Sequence, residues 1–183
     1  MKQVLVLLAP GFEEIETVTV VDILRRGGAR VTLAGTKAGP IQGSRGVQMV
    51  ADALLEDATA AEWDMVVLPG GQPGTSNLQK DERVGDLLQT MHRNGKWIAA
   101  ICAAPLVLQS AGLLHDRVLT SHPSVKEDLK GVRYSEDRVV VDGNIVTSRS
   151  PGTAMEFAMK LVEILFDEGR VETVNKGVLA RLS

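Results

Sequence analysis

The chain is short of cysteine, of histidine and of any concentrated charge. One cysteine in 183 residues rules out an internal disulfide and makes a reducing compartment the natural home. Three scattered histidines lack the spacing that zinc ligands require, so no metal is expected. A net charge of -3 without a cluster of lysines or arginines leaves no basic footprint for nucleic acid or a membrane surface. The longest uncharged apolar run, Trp97 to Leu108, falls well below the roughly 20 residues that span a bilayer. Near the start, Val4 to Ala9 is too short for a secretion signal, lacks a small-x-small cleavage pattern and runs into Glu13 and Glu14. These absences describe a soluble, cytoplasmic protein whose partner is a small molecule or a second copy of itself.

The length fits one domain, 1–183, large enough to bury roughly 70% of its unfolded surface unaided. There is no internal repeat, low-complexity segment or linker. Continuous apolar runs at Val4–Leu8, Met65–Leu68 and Trp97–Ile101 read as strands covered on both faces. Val31–Ala34 and Val118–Thr120 add two more, and Arg138–Thr147 reads as a hairpin around Asp142-Gly143. Helical patterning spans Glu13–Arg26, Val84–His92, Ala103–Ala111 and Ala154–Glu168, with a short helix or extended cover from Val171. Alternating strands and helices predict a flavodoxin-like three-layer α/β/α sandwich, its sheet mostly parallel with an antiparallel edge.

The candidate chemistry centres on Cys102, which ends an apolar strand and precedes Ala103-Ala104-Pro105. A sulfur on such a strand-to-helix turn stands above the sheet near a helix N-terminus, where thiolate is favoured. The competing reading is a small buried hydrophobe. Glu16 shares a helical arc with Val20 and Ile23 and so faces the sheet. It either complements the helix dipole or, buried, has a raised pKa and carries protons. Glu13 and Glu14 fit the dipole role. His122 lies just past a strand end, as Cys102 does, and is either a partner of the cysteine or a surface loop residue. Pro69-Gly70-Gly71 turns sharply enough to aim N–H groups at a ligand, or is punctuation alone. Ile15 and Val18 fall on the outer face of the first helix and hint at a partner surface.

Five segments, in order, together resemble the ThiJ/PfpI superfamily and within it the DJ-one branch. They are Ala9-Pro10-Gly11-Phe12-Glu13-Glu14-Ile15-Glu16, Leu68-Pro69-Gly70-Gly71, Ala99-Ala100-Ile101-Cys102-Ala103-Ala104-Pro105, Ser121-His122-Pro123 and Thr147-Ser148-Arg149-Ser150-Pro151-Gly152-Thr153. The resemblance covers nearly the whole chain. It implies that Cys102 is the nucleophile, that Glu16 is the acid hydrogen-bonded to it, and that His122 lies nearby. It implies that the backbone N–H groups of Gly71 and Ala103 face a developing oxyanion. Arg45 and Arg26 match arginines lining an anion-accepting pocket near a dimer interface, with Arg45 reaching across from the partner copy. Homodimers joined through the first helix agree with the outward Ile15 and Val18.

The activity implied is that of a cysteine-dependent, glutathione-independent glyoxalase or deglycase, converting glyoxal and methylglyoxal to hydroxy acids without cofactor or metal. The alternative is an oxidative-stress sensor or redox-regulated chaperone in which Cys102 is oxidised to sulfinate. Two departures narrow the choice. Gly43 stands where some relatives carry a second cysteine, and Ala103 stands where peptidase-like branches place a histidine after the nucleophile. Amidotransferases of similar elbow need a later His-x-Glu pair, absent from this sequence.

Overall fold

The structure is a computed structural model, described here over residues 1–181. From the N-terminus, β1 (Gln3–Leu8), α1 (Glu14–Arg26) and β2 (Arg30–Gly35) form the first parallel unit. A small antiparallel ribbon of β3 (Pro40–Gln42) and β4 (Gln48–Val50) follows, then β5 (Ala53–Leu54) and α2 (Leu55–Ala58). Next come β6 (Met65–Leu68), α3 (Gly74–Lys80), α4 (Glu82–Arg93), β7 (Trp97–Ile101) and α5 (Pro105–Ser110). Short β8 (Val118–Leu119) and β9 (Arg133–Tyr134) pair with each other. The hairpin β10 (Val139–Asp142) and β11 (Ile145–Ser148) precedes α6 (Ala154–Leu165) and α7 (Glu168–Val178).

The central sheet has the order β10-β11-β7-β6-β1-β2-β5, and only the edge pair β10–β11 is antiparallel. Period-two alternation sends Val4, Val6 and Leu8 of β1 to one face, against Val20, Ile23, Phe157 and Leu161. Leu5 and Leu7 go to the other, against Leu88, Val107 and Leu108. Each fully buried aliphatic side chain contributes roughly 1.5–3 kcal/mol, which is why the unbroken apolar runs can only be central strands. The expected three-layer sandwich with an antiparallel edge is the observed fold.

Local differences have local causes. The helix expected over Ala154–Glu168 ends at Leu165, where Phe166 leaves helical geometry and Asp167 caps α7 by accepting from the Arg170 N–H. Residues Ala103 and Ala104 form a turn, and the helix begins at Pro105. No strand or helix pattern marks α3, whose Gly-Thr-Ser-Asn start carries no apolar stripe. Among the described residues no helix is long and apolar enough to cross a membrane.

In the sheet, β1 connects to β2 on one side while β6 lies on its other side. Open α/β sheets bind ligands at such a reversal, outside the C-terminal ends of the strands. The turns after β1, β6 and β7 converge at this edge.

Candidate active site

Cys102 follows the last residue of β7 with φ of 67°, a left-handed conformation that a side-chain-bearing residue adopts only at a cost of about 1–2 kcal/mol. Its surroundings hold it there. The Cys102 N–H donates to Ser148 O at 3.0 Å, and the His122 N–H donates to Cys102 O at 2.8 Å. The bend lifts the sulfur out of the sheet toward a cavity of about 530 Å³ lined by Glu13, Ile15, Ser44, Arg45, Gly71, Gln72, Cys102, His122 and Pro151. The cysteine is partly accessible, not a sealed core residue.

Glu16 lies in the first turn of α1 and is 0% exposed. The Glu13 carboxylate caps this helix by accepting from the Glu16 N–H at 2.7 Å. Oε2 of Glu16 accepts the Gly70 N–H at 2.7 Å, whereas Oε1 is buried without a well-aligned partner. Burial pushes the Glu16 carboxyl up to about 7, against the pull of the Gly70 N–H and of the Cys102 thiol. The macrodipole role weighed for this residue is therefore secondary, and the sheet-facing reading holds.

The sulfur behaves differently from the simple elbow expectation. Burial, then the charge of the Glu16 carboxylate and the hydrogen bond to it, push the Cys102 thiol up to about 12. The Ala103 and Gly71 N–H groups act in the opposite sense. Protonation of Glu16 removes the like charge beside the sulfur and so eases thiolate formation, while the effect of burial remains. The two groups titrate as a pair that keeps one proton between its two steps. The helix following the cysteine is only six residues long, too short to outweigh this desolvation.

Gly71 and Ala103, expected as oxyanion donors, both direct their N–H groups at the sulfur. Gly71 has φ of 89°, and a Cβ there would fall 2.6 Å from Glu13 N and Gly11 O, so no side chain fits. His122 lines the same cavity. Its Nδ1 accepts the Ser124 N–H at 3.2 Å and lies 2.7 Å from Ser124 Oγ, which leaves Nε2 as the free ring nitrogen. Arg45 lines the cavity of its own chain. Arg26 is not brought to the site. It lies ten residues beyond Glu16, roughly 15 Å along the helix, paired with Asp22 at 3.0 Å beside a separate groove that includes Val18 and Met155. Ile15 and Val18 are 56% and 50% exposed.

Sequence reasoning gave Glu14 no role beyond the helix dipole. Its carboxylate is buried and receives hydrogen bonds from Ser44, Arg45 and Val47. Only the distance in sequence between Glu14 and that loop hid the connection. No group of histidine, cysteine and acidic side chains suited to a metal ion occurs among the described residues.

Comparison with known proteins finds relatives over nearly the whole chain. The model of the DJ-1/PfpI family matches residues 2–164. Protein dj-1beta of Drosophila melanogaster is 46% identical over 181 residues, covering 97% of each chain. Glutathione-independent glyoxalase DJR-1.2 of Caenorhabditis elegans is 41% identical over 167 residues, covering 90% of this chain and 89% of that relative. The crystal structure of Drosophila melanogaster DJ-1beta superposes with a TM-score of 0.96 at 45% identity over 98% of both chains.

Proposed function

The chain belongs to the DJ-1/PfpI family, and from that premise we propose that it is a cysteine-dependent, glutathione-independent glyoxalase with deglycase-like activity. Its substrates are methylglyoxal and glyoxal, its products hydroxy acids. The observation that carries the reading is the pairing of a partly accessible Cys102, faced by two backbone N–H donors, with a buried Glu16 whose carboxyl is raised to about 7. A relative carrying the glyoxalase name at 41% identity supports the substrate class.

The chemistry needs no outside oxidant. With Glu16 protonated, the Cys102 thiolate adds to the aldehyde carbon of methylglyoxal, and the carbonyl electron pair moves to oxygen beside the Gly71 and Ala103 N–H groups. That oxygen takes the Glu16 proton, giving a hemithioacetal. The Glu16 carboxylate then removes the hydrogen on the same carbon, and the electron pair moves toward the neighbouring ketone, polarised by the His122 Nε2–H. The Glu16 acid returns its proton to the former ketone carbon while the hydroxyl proton of the first carbon passes to the former ketone oxygen, which leaves a lactoyl thioester and the Glu16 carboxylate. One carbon is oxidised and its neighbour reduced by the same electron pair. Water then cleaves the thioester to lactate and free thiol. Deglycation by this site amounts to consuming dicarbonyl released from early adducts.

The test is to supply reduced protein with methylglyoxal, following dicarbonyl loss and lactate formation in wild type, Cys102→Ser and Glu16→Gln. Turnover by wild type and its loss in both variants are expected. Absence of lactate from fully reduced wild type overturns the proposal. A second reading, a peroxide sensor or redox-regulated chaperone, draws on Glu16 Oε1, which in the acid form would donate to a sulfinate oxygen on Cys102. Ready sulfinate formation without turnover selects it. In either reading the protein is proposed to act as a cytoplasmic homodimer through the exposed face of α1 around Ile15 and Val18.

A further inference from the structure

The loop between β3 and β4 carries Ser44 and Arg45 to the mouth of the cavity, and one carboxylate holds it. Glu14 Oε1 accepts the Arg45 N–H at 2.6 Å and the Val47 N–H at 3.3 Å, while Oε2 accepts the Ser44 hydroxyl at 3.2 Å. The loop tightens further where the Ser44 N–H donates to Phe12 O at 2.7 Å and the Gly11 N–H to Gln42 O at 2.8 Å. Glu14 is 8% exposed although acidic, and its hydrogen bonds hold its carboxyl below the ordinary range despite the opposing effect of burial. Space is closed around it as well. A Cβ on Gly43 would lie 2.4 Å from Glu14 Oε1 and 2.6 Å from its carboxyl carbon, so in this chain the glycine leaves the carboxylate room to reach its three donors on Ser44, Arg45 and Val47.

We propose that Glu14 is a positioning residue which fixes Arg45 at the rim of the Cys102 cavity, so that the site discriminates in favour of anionic carbonyl compounds and electrophiles. Neither Glu14 oxygen lines the cavity, and the residue acts only through the loop backbone. Arg45 is the cavity's one lysine or arginine among the described residues, and Glu13, which also lines it, is held back by capping α1 through the Glu16 N–H. An exposed charge is heavily screened by water. The discrimination set by Arg45 is therefore modest and depends on where the loop backbone places it. The inference deepens the proposed glyoxalase reading by naming what selects among its substrates, but its test does not require turnover.

Cys102 is the chain's single thiol. Its sulfur displaces iodide from either anionic iodoacetate or neutral iodoacetamide, forming one S–C bond in each case. The ratio of the two alkylation rates, read by mass spectrometry on the whole protein, reports the charge at the rim and cancels changes in thiol reactivity. Relative to wild type, the iodoacetate-to-iodoacetamide ratio is expected to fall about three- to fivefold in Arg45→Met and by a similar factor in Glu14→Ala. The double variant should fall no further than Arg45→Met. Glu14→Gln, which retains an acceptor for the two N–H groups, should stay within about twofold of wild type. Gly43→Ala displaces the carboxylate without altering it, and should reproduce Glu14→Ala if that variant folds poorly. A wild-type ratio in a folded Glu14→Ala or Gly43→Ala protein, with Arg45→Met reduced, overturns the proposal. Failure of the glyoxalase reading would show as absent lactate with this ratio pattern intact.

Discussion

The Gly70 N–H and the Glu16 carboxyl meet at 2.7 Å, joining the turn after β6 to the first turn of α1 directly beneath the sulfur. This contact stabilises the ionised form of Glu16 but does not overcome burial, which leaves the carboxyl raised from 4.5 to about 7. The folded chain thus binds this proton more tightly than the unfolded chain. Stability from Glu16 is complete below pH 4.5 and is lost progressively as pH rises to about 7, by an amount on the order of 3 kcal/mol. Glu16→Gln has no such loss. Urea unfolding at pH 4.5 and at pH 8 should show the variant gaining on wild type by up to that amount at the higher pH. A pH-independent difference between the two proteins would contradict a raised carboxyl.

Gly70 leaves no room for growth. A Cβ there would fall 2.7 Å from Cys102 Cβ and 2.9 Å from both Glu16 Oε2 and Ile101 O. Gly70→Ala must push the cysteine and the acid apart, costing about 1–3 kcal/mol by overpacking. Misplacement of reacting groups by about 1 Å costs about 100-fold, and the rate of lactate formation should drop by that factor. Gly85 in α4 is the control, since a Cβ there meets nothing within 4 Å. Gly85→Ala should raise stability by about 0.5–1 kcal/mol with turnover unchanged.

These close approaches mark where the sequence stopped being readable. Val4–Leu8 and Met65–Leu68 announce central strands because both faces are covered, and Glu16 announces itself by sharing an arc with Val20 and Ile23. The bend at Cys102 was legible from its small neighbours. Its ionisation was not, because that depends on how deeply Glu16 is desolvated and on one N–H from a distant turn. Glu14 shows the same limit. A first-turn acid looks the same in sequence whether it faces water or holds a loop 30 residues away. Arg26 shows the converse, since a motif match carries no information on which end of a helix meets the cavity. The short helix α3 had no apolar period to reveal it.

The left-handed bend at Cys102 opposes stability. Its φ of 67° suits glycine better than any residue with a Cβ. Cys102→Gly and Cys102→Ala both remove the sulfur, so the comparison isolates the backbone. Relief of about 1–2 kcal/mol of left-handed strain exceeds the greater unfolded-state freedom of glycine, worth about 0.4–1 kcal/mol. Chemical denaturation should therefore find Cys102→Gly more stable than Cys102→Ala by roughly 0.5–1 kcal/mol. The opposite order would mean that the bend is not strained, and that the nucleophile's position carries no stability cost.

His122 receives its role from Ser124. The Ser124 N–H donates to Nδ1 at 3.2 Å, a contact that favours the neutral tautomer with its proton on Nε2, the nitrogen left free for the cavity. In that tautomer the proposed mechanism has His122 donate a hydrogen bond to substrate oxygen and leaves removal of the proton from carbon to Glu16. Long-range proton–nitrogen NMR spectra of the neutral protein should place the His122 hydrogen on Nε2. Replacing Ser124 with proline removes both the N–H and the hydroxyl that meet Nδ1, and should shift the population toward Nδ1–H while lowering turnover by roughly 10-fold, about one hydrogen bond's worth, whereas Ser124→Ala, which keeps the N–H, should hold the tautomer. His122→Gln retains a side-chain N–H donor but cannot act as a base in this range. If Gln at this position preserves most of the rate and His122→Ala does not, donation is the role. If both variants lose activity equally, the proton-donor assignment fails and His122 must be accepting a proton instead.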